Sequence, residues 1–299
     1  MSTQPAPHLS DASDAAALSA HVEAVVRRSG TSFFWAMRLL PPAKRAGMFA
    51  VYAFCREVDD IADGDAPEAA KRAALSRWRD EIAAVYGGGA PAEPVARALP
   101  AHVARFGLRR DDFLAVIDGM EMDAGAAVRL GDMDELTLYC DRVACAVGRL
   151  STRVFGVDDD LGHPVAAAQG QALQLTNILR DIREDAGRDR LYLPLDLLAR
   201  HGVDTAGADR DLGAVLADPN LGAACAELAA EAGRRFAEAE AALARCDPAK
   251  MRPAVMMMAV YRRLFDRLQR RGWDRPLQPV ALSAAEKLMI MLRYGVLGG

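Results

Sequence analysis

The sequence has few aromatic residues and few signs of β-structure. Only 6% of its 299 residues are aromatic, so the 52% that are hydrophobic are mainly aliphatic, with much alanine. Alanine and leucine lose little side-chain freedom in a helix, whereas strands are enriched in β-branched and aromatic residues. The composition therefore favours helices over sheets.

Other absences exclude whole classes of protein. The five cysteines form no C-x-x-C pair, which is typical of reduced thiols in a cytoplasmic protein. No apolar run reaches about 18 residues, so an ordinary membrane-spanning helix is not expected. A formal net charge of −4 makes nucleic acid an unsuitable partner. Residues 1–19 lack the basic and apolar parts of a secretion signal, and we predict a disordered tail there.

The common cofactor motifs are missing as well. Gly87 to Ala92 fits G-x-G-x-x-A only formally, because no predicted strand precedes it. No Gly-Lys dipeptide occurs, so there is no P-loop, and no histidine follows a glutamate by three residues as in di-iron bundles. The five histidines are too scattered for a zinc site. Nucleotide, di-iron and zinc chemistry are therefore not expected.

Helical periodicity dominates the chain. Apolar residues at three- and four-residue spacing predict helices over 17–28, 43–63, 68–86, 91–106, 111–129, 133–155, 163–185, 221–246, 249–271 and 283–297. Glycine and proline separate most of these segments, and Ser283 with Glu286 predicts a capping box at the start of the last helix. No repeat, linker or shift in composition marks a boundary, so we predict one all-α domain over 20–299.

Two of the predicted helices carry a stripe of carboxylates on one face. At about 100° per residue, positions i, i+3 or i+4, i+7 and i+11 of a helix lie along one side. The first such stripe consists of Tyr52, Arg56, Asp59 and Asp63, and the second of Gln174, Asn177, Asp181 and Asp185, with Arg180 and Glu184 beside it. The chain thus presents the same arrangement twice.

The stripes suit a hard cation. Carboxylates four residues apart repel each other in an isolated helix, and a divalent ion between them removes that repulsion. Mg²⁺ is typically held by one or two carboxylates together with substrate phosphates. We therefore predict that the stripes face each other around Mg²⁺ and a diphosphate, with Arg56 and Arg180 on the phosphate oxygens. The alternative is solvated surface charge, but the apolar surroundings of both stripes favour the metal site.

These residues resemble the squalene/phytoene synthase family, which joins two prenyl diphosphates head to head. The resemblance covers about Ser29 to Trp273 and is carried by Thr31-Ser32-Phe33, Asp59 to Asp63, Tyr139 with Val147-Gly148, Leu173 to Asp185, and Arg190 to Pro194. It implies a single-domain isoprenoid-synthase helical bundle with a central cavity. Within the family, segments 32–41 and 55–60 are most similar to bacterial presqualene diphosphate synthases of hopanoid pathways.

The resemblance also implies roles for individual residues. Those implied to bind metal and diphosphate are Asp59, Asp63, Asn177, Asp181 and Asp185. Those implied to contact substrate are Ser32, Tyr52, Arg56, Gln174, Arg180 and Tyr192. Tyr139 is implied to lie near the departing diphosphate and the reacting carbons, as a candidate for proton handling, whereas its spacing alone favours a core tyrosine.

The activity implied is condensation of two farnesyl diphosphates into presqualene diphosphate, with Mg²⁺ as cofactor, for squalene and hopanoid synthesis. Three alternatives stay open: a phytoene synthase acting on geranylgeranyl diphosphate, a complete NADPH-dependent squalene synthase, and a catalytically silent subunit of a lipid-synthesis complex. Intact aspartate stripes disfavour the silent subunit. Downstream lipid-pathway enzymes are expected as partners.

The last predicted helix carries six apolar residues, Leu288, Met289, Ile290, Met291, Leu292 and Val296. Such a helix could rest on the inner face of a membrane, which would make this cytoplasmic protein peripheral to it. Packing against the rest of the domain is the alternative, and for a single helix it is the commoner outcome.

Overall fold

Helices account for nearly all the regular structure in the computed structural model, which describes residues 9–29 and 33–295. In chain order the elements are α1 (Leu9–Arg28), α2 (Phe33–Arg38), α3 (Pro42–Asp63), α4 (Glu68–Gly87), α5 (Pro94–Phe106), α6 (Arg110–Asp123), β1 (Val128–Arg129), α7 (Met133–Cys140), a π-helical turn (Asp141–Cys145), α8 (Ala146–Phe155), α9 (Asp159–Ala186), β2 (Arg190–Leu191), α10 (Leu195–Arg200), α11 (Leu212–Ala217), α12 (Leu221–Leu243), α13 (Pro248–Arg271) and α14 (Ala284–Gly295). The all-α prediction is confirmed. Within the described ranges, no helix is both long and apolar enough to cross a membrane.

The predicted helix ends are confirmed where capping residues are present. Helices α4 and α5 stop before Gly88 and Gly107, whose φ angles of 72° and 61° are left-handed and suit glycine. At the start of α14, the Ser283 backbone N–H donates to Glu286 Oε2 at 3.0 Å, and the Glu286 N–H donates to Ser283 Oγ at 3.2 Å. The predicted capping box is therefore present.

Several predicted boundaries differ from the structure, and two of them matter most for the fold. The helix predicted over 111–129 ends at Asp123, because the chain beyond it forms β1, which pairs in parallel with β2, and the Val128 N–H donates to the Asp189 carbonyl at 3.0 Å. Residues 9–19 of the predicted tail belong to helix α1, whose buried Val22, Val25 and Val26 join the main core. Residues 1–8 lie outside the described part of the chain.

The core has two large parts, and the two carboxylate stripes belong to different ones. Helix α3 contributes Val58 and Ala62 to a core shared with α4, α5 and α6. Helix α9 contributes Leu179 and Ile182 to a second core shared with α10 and α12. Gly170 lets α9 approach the π-helical turn, since a Cβ there would lie 2.8 Å from the Cys145 backbone nitrogen. The space between the two cores contains the candidate site.

Candidate active site

A cavity of about 260 Å³ lies between α2, α3, the π-helical turn, α8, α9 and α13. Its wall is mainly apolar and includes Met37, Met48, Val51, Val143, Val147, Val165, Ala166, Leu173 and Met257. Tyr52 of α3 and Gln174 and Asn177 of α9 also line it. Because these three residues begin the two stripes, both helices lead from the cavity to their carboxylates.

Arginines pair with three of the four stripe aspartates. On α3, Arg56 Nη1 lies 3.2 Å from Asp59 Oδ2, and Arg56 also pairs with Asp60. On α9, Arg180 donates two hydrogen bonds to Asp181, from Nε to Oδ1 at 2.6 Å and from Nη2 to Oδ2 at 2.5 Å. These bonds offset the repulsion within each stripe.

The end of the first stripe is bound by arginines from the segment around β2. Asp63 accepts from Arg190 Nη1 at 2.7 Å and pairs with Arg188 Nη1 at 3.1 Å. Arg190 Nη2 also donates to the carbonyls of Ala62 at 3.0 Å and Asp123 at 3.2 Å. Arg190 thus ties the last turn of α3 to the last turn of α6.

A buried carboxylate lies behind the stripes. Asp123, which is 5% exposed, accepts hydrogen bonds from the hydroxyls of Tyr139 at 2.9 Å and Tyr192 at 2.7 Å. The two tyrosine rings stack with their centroids 4.8 Å apart. Burial raises the pKa of Asp123, and burial together with the Asp123 charge raises the pKa of Tyr139. At neutral pH, therefore, the Tyr139 hydroxyl keeps its proton and points it at Asp123.

Two of the stripe carboxylates have raised pKa values. Burial, followed by the carboxylate of Asp63, raises the pKa of Asp59 to about 6. Burial, followed by the carboxylates of Asp181 and Glu184, raises the pKa of Asp185 to about 7. Arg188 connects the ends of α3 and α9, because its Nη1 lies 3.1 Å from Asp63 Oδ2 and its Nη2 lies 4.0 Å from Glu184 Oε1. The ends of the two stripes are therefore within reach of one arginine.

Two oxygens near the cavity have no hydrogen-bond donor among the described residues, Oδ1 of Asn177 and Oε1 of Gln169. The Gln169 amide is held in place, because its Nε2 donates to the Ala254 carbonyl at 2.9 Å. A buried oxygen without a donor costs about 1–3 kcal/mol, so each needs a reason to be there. For Asn177, next to the second stripe, a bound cation would be such a reason.

The donor set fits Mg²⁺ held jointly with a substrate. No three His, Cys, Asp or Glu side chains in the described ranges are close enough to enclose one ion by themselves. Mg²⁺ does not need such a cage, because it takes one or two carboxylates and completes its octahedron with phosphate oxygens and water. The carboxylates of Asp59, Asp63, Asp181 and Asp185 and the Asn177 carbonyl are oxygen ligands of the kind it prefers.

The structure places most of the predicted site residues together. Tyr52, Gln174 and Asn177 line the cavity, while Arg56 and Arg180 lie among the carboxylates. Tyr139 and Tyr192 instead lie behind the site, both bonded to Asp123 and outside the cavity lining. Ser32 lies outside the described residues. Sequence reasoning missed Asp123, Arg188 and Arg190 as site residues. Arg190 is the first residue of 190–194, one of the segments that resemble the family. Asp123 lies in none of those segments and in neither stripe.

Comparison with known proteins gives a consistent result. The model of the squalene/phytoene synthase family matches residues 26–286. A presqualene diphosphate synthase of Sinorhizobium fredii is 46% identical over 269 residues, which cover 90% of this chain and 94% of that protein. A phytoene synthase of Thermus thermophilus is 35% identical over 270 residues, covering 89% of both. A crystal structure of a dehydrosqualene synthase with a ligand superposes with a TM-score of 0.79 at 25% identity, covering 94% of this chain and 96% of that one.

Proposed function

The chain belongs to the squalene/phytoene synthase family, and we propose that it condenses two farnesyl diphosphates into presqualene diphosphate with release of one diphosphate. The observation that carries this proposal is that both carboxylate stripes lead from one apolar cavity. The choice of product is supported by identity, which is 46% to a presqualene diphosphate synthase and 35% to a phytoene synthase. The product would then pass to downstream enzymes of lipid synthesis.

We propose that the stripes bind the substrate diphosphates by exchanging partners. Arg56 bonds to Asp59 and Arg180 bonds to Asp181. When diphosphate arrives, the planar guanidinium groups would turn to its oxygens and release these two carboxylates. Asp59 and Asp181, together with Asp63, Asp185 and the Asn177 carbonyl, would then hold Mg²⁺. Bound Mg²⁺ would neutralise the charge that develops on the leaving diphosphate.

The cavity would protect the carbocation. Loss of diphosphate leaves an allylic cation at C1 of the first substrate, which water would trap if it were present. The aliphatic and methionine side chains of the wall exclude water from this space. The C2–C3 double bond of the second substrate then attacks C1, and loss of a proton closes the cyclopropane ring.

We propose that Tyr139 and Asp123 move that proton as a pair. The Tyr139 oxygen accepts the proton from carbon while its own hydroxyl proton passes along the 2.9 Å hydrogen bond to Asp123. The raised pKa of Asp123 suits a carboxylate that must become protonated. Tyr192 and Arg190 act on this pair as positioning residues, since one donates to the Asp123 carboxylate and the other to its carbonyl.

The alternatives differ in substrate or product. The cavity of 260 Å³ lies below the usual range for ligand sites, about 300–1,000 Å³, so its volume favours neither chain length. The fifteen-carbon chain is supported by the higher identity to a presqualene diphosphate synthase than to a phytoene synthase. Within residues 9–29 and 33–295, no glycine-rich strand–turn–helix element supports nicotinamide binding, so release of presqualene diphosphate is favoured over its reduction to squalene. A silent subunit would not need mutually repelling carboxylates.

Product analysis tests the proposal directly. Purified protein is incubated with labelled farnesyl diphosphate, with Mg²⁺ or with EDTA, and with or without NADPH. We expect presqualene diphosphate only with Mg²⁺, and no change of product with NADPH. Squalene formed only with NADPH would make the chain a complete squalene synthase, and efficient phytoene formation from geranylgeranyl diphosphate would make it a phytoene synthase. No product from either substrate would support the silent subunit.

A further inference from the structure

The exposed apolar side chains of the protein are concentrated on two helices. Trp35 and Leu39, on α2 and the turn after it, and Leu288, Met289 and Leu292 on α14 are between 49% and 62% exposed. The two helices touch, since a Cβ on Gly295 at the end of α14 would lie 2.7 Å from Leu39 Cδ1. These five side chains form the apolar patch.

Helix α14 is packed on the domain through one face, yet its exposed face is apolar as well. The inner face of α14 buries Met291 and Gly295 against α2 and α13, so packing on the domain, one of the two outcomes expected for this helix, is confirmed. A surface helix normally presents polar residues on its opposite side. Here that side carries Leu288, Met289 and Leu292, and contiguous apolar patches of this kind mark interaction sites. Val296 lies outside the described residues.

Positive charge borders the patch and is not neutralised. Arg38, Lys287 and Arg293 flank it, and none of them forms an ion pair with another described residue. The acidic side chain within α14, Glu286, is already bonded to Arg267 at 2.5 Å. A partner whose surface combines negative charge with accessible apolar groups would therefore match the apolar patch and the basic residues around it.

The patch lies on the outside of the cavity wall. Helix α2 turns Ala36 and Met37 into the cavity and Trp35 and Leu39 to the surface. Helix α13, on which α14 packs, contributes Met257 to the same cavity. One layer of helix therefore separates the apolar interior of the site from the apolar patch.

We propose that the apolar patch docks the protein on the surface of an anionic lipid bilayer, with α2 and α14 lying in the plane of the headgroups. Five apolar side chains are far fewer than the roughly 20–30 residues a side of a stable protein–protein interface. They suffice for an amphipathic surface helix, whose binding combines buried apolar area with attraction to anionic lipids. At about 1.5 Å per residue, the twelve residues of α14 span about 18 Å, too short to cross the hydrocarbon core.

Vesicle binding by the full chain tests this surface. Vesicles of phosphatidylcholine alone, and of phosphatidylcholine with phosphatidylglycerol, are titrated with the protein and sedimented. We expect binding to the anionic vesicles, with a blue shift of Trp35 fluorescence that a Trp35→Phe variant lacks. Each basic residue near an anionic surface contributes about fivefold in affinity, so replacing Arg38, Lys287 and Arg293 with glutamine lowers the partition coefficient roughly 100-fold.

Matched variants separate the patch from general surface effects. Glutamine at Leu288, Met289 and Leu292 should abolish binding, whereas Leu138→Gln, an exposed leucine on α7, should leave it unchanged. Neutralising three exposed arginines elsewhere, Arg77, Arg110 and Arg210, is the control for charge. Equal loss in patch and control variants would overturn the proposal. So would equal binding to neutral vesicles, or a dimer in solution that the patch variants dissociate. Binding is measured without substrate, so its failure leaves the proposed activity standing.

Discussion

The buried carboxylate of Asp123 offers the sharpest test of the proposed chemistry. Replacing it with asparagine keeps the shape but leaves one oxygen to receive two tyrosine hydroxyls. Hydrogen bonds to a charged group contribute about 1.5–3 kcal/mol each and neutral ones about 1 kcal/mol. In the variant, one tyrosine hydroxyl can donate to the amide oxygen, while the other must accept from the amide nitrogen, so two strong bonds become at best two neutral ones. The variant no longer buries a charge, which offsets most of this loss. We expect the free energy of unfolding to fall by no more than about 1 kcal/mol.

The alanine variant should behave differently. Asp123→Ala leaves the hydroxyls of Tyr139 and Tyr192 buried without acceptors, at about 1–3 kcal/mol each. The expected loss is therefore roughly 2–6 kcal/mol, measured by urea unfolding at pH 7.5 without metal. A similar loss for both variants would mean that the charge itself, and not the two acceptor positions, stabilises this region.

Activity should fall in both variants, because an amide cannot take up the proton. General acid–base groups contribute about 10²–10⁴-fold, and we expect a loss of that size in kcat with little change in KM for Asp123→Asn. Tyr139→Phe should lose about as much, and the double variant little more than either single one, since the two residues act as one unit. Tyr192→Phe, which only positions the pair, should lose much less. A kcat within twofold of the parent for Asp123→Asn, or additive losses in the double variant, would refute the relay.

Four further outcomes are expected. Asp181→Asn should abolish product formation, while the unfolding free energy of the metal-free protein in urea stays within about 1 kcal/mol of the parent, because the relieved repulsion offsets the weaker bonds to Arg180. Arg180→Lys keeps the charge but loses the planar guanidinium group that can bind phosphate through two hydrogen bonds, so KM should rise. If kcat and KM equalled those of the parent, Arg180 would not contact the substrate. The folded-state pKa values of Asp59, about 6, and Asp185, about 7, lie above the values in the unfolded chain. The metal-free protein should therefore lose stability as the pH rises from 5 to 8. In thermal unfolding, the melting temperature of Asp185→Asn should exceed that of the parent by an amount that grows as the pH rises through 7. Gln169→Leu, which removes a buried oxygen without a donor, should raise the unfolding free energy by about 1 kcal/mol in urea titration, and a decrease would show that the amide hydrogen bond to Ala254 matters more.

The long helices could be predicted from the sequence because apolar spacing and capping residues agree along them. Helices α3, α4 and α13 lie within a residue of their predicted bounds. The short helices α2, α10 and α11 could not be found in this way, since six residues hold less than two turns of any periodicity. The strands β1 and β2 have two residues each and depend on a contact across the fold, which no local pattern contains.

The site was predictable to the extent that its residues repeat along a helix. The stripes on α3 and α9 each carry two aspartates four residues apart, and that spacing distinguished them from the other acidic residues. Asp123 could not be found, because its significance depends on Tyr139 and Tyr192, which lie 16 and 69 residues away along the chain. Nor could spacing indicate that Arg190 reaches back to Asp63 across 127 residues. Local periodicity predicts which face a residue occupies, whereas only the fold determines what that face meets.

The π-helical turn interrupts the regular helix in one wall of the cavity. Asp141–Cys145 separates α7, which carries Tyr139, from α8, and two residues of the turn, Val143 and Ala144, line the cavity. A π-turn, with hydrogen bonds from i to i+5, is a rare form of helix that occurs often at functional sites. A cavity of about 260 Å³ must enlarge before two prenyl chains lie side by side in it. Because the α-helical hydrogen-bond pattern is already broken at this turn, we expect the wall to move there when both substrates bind.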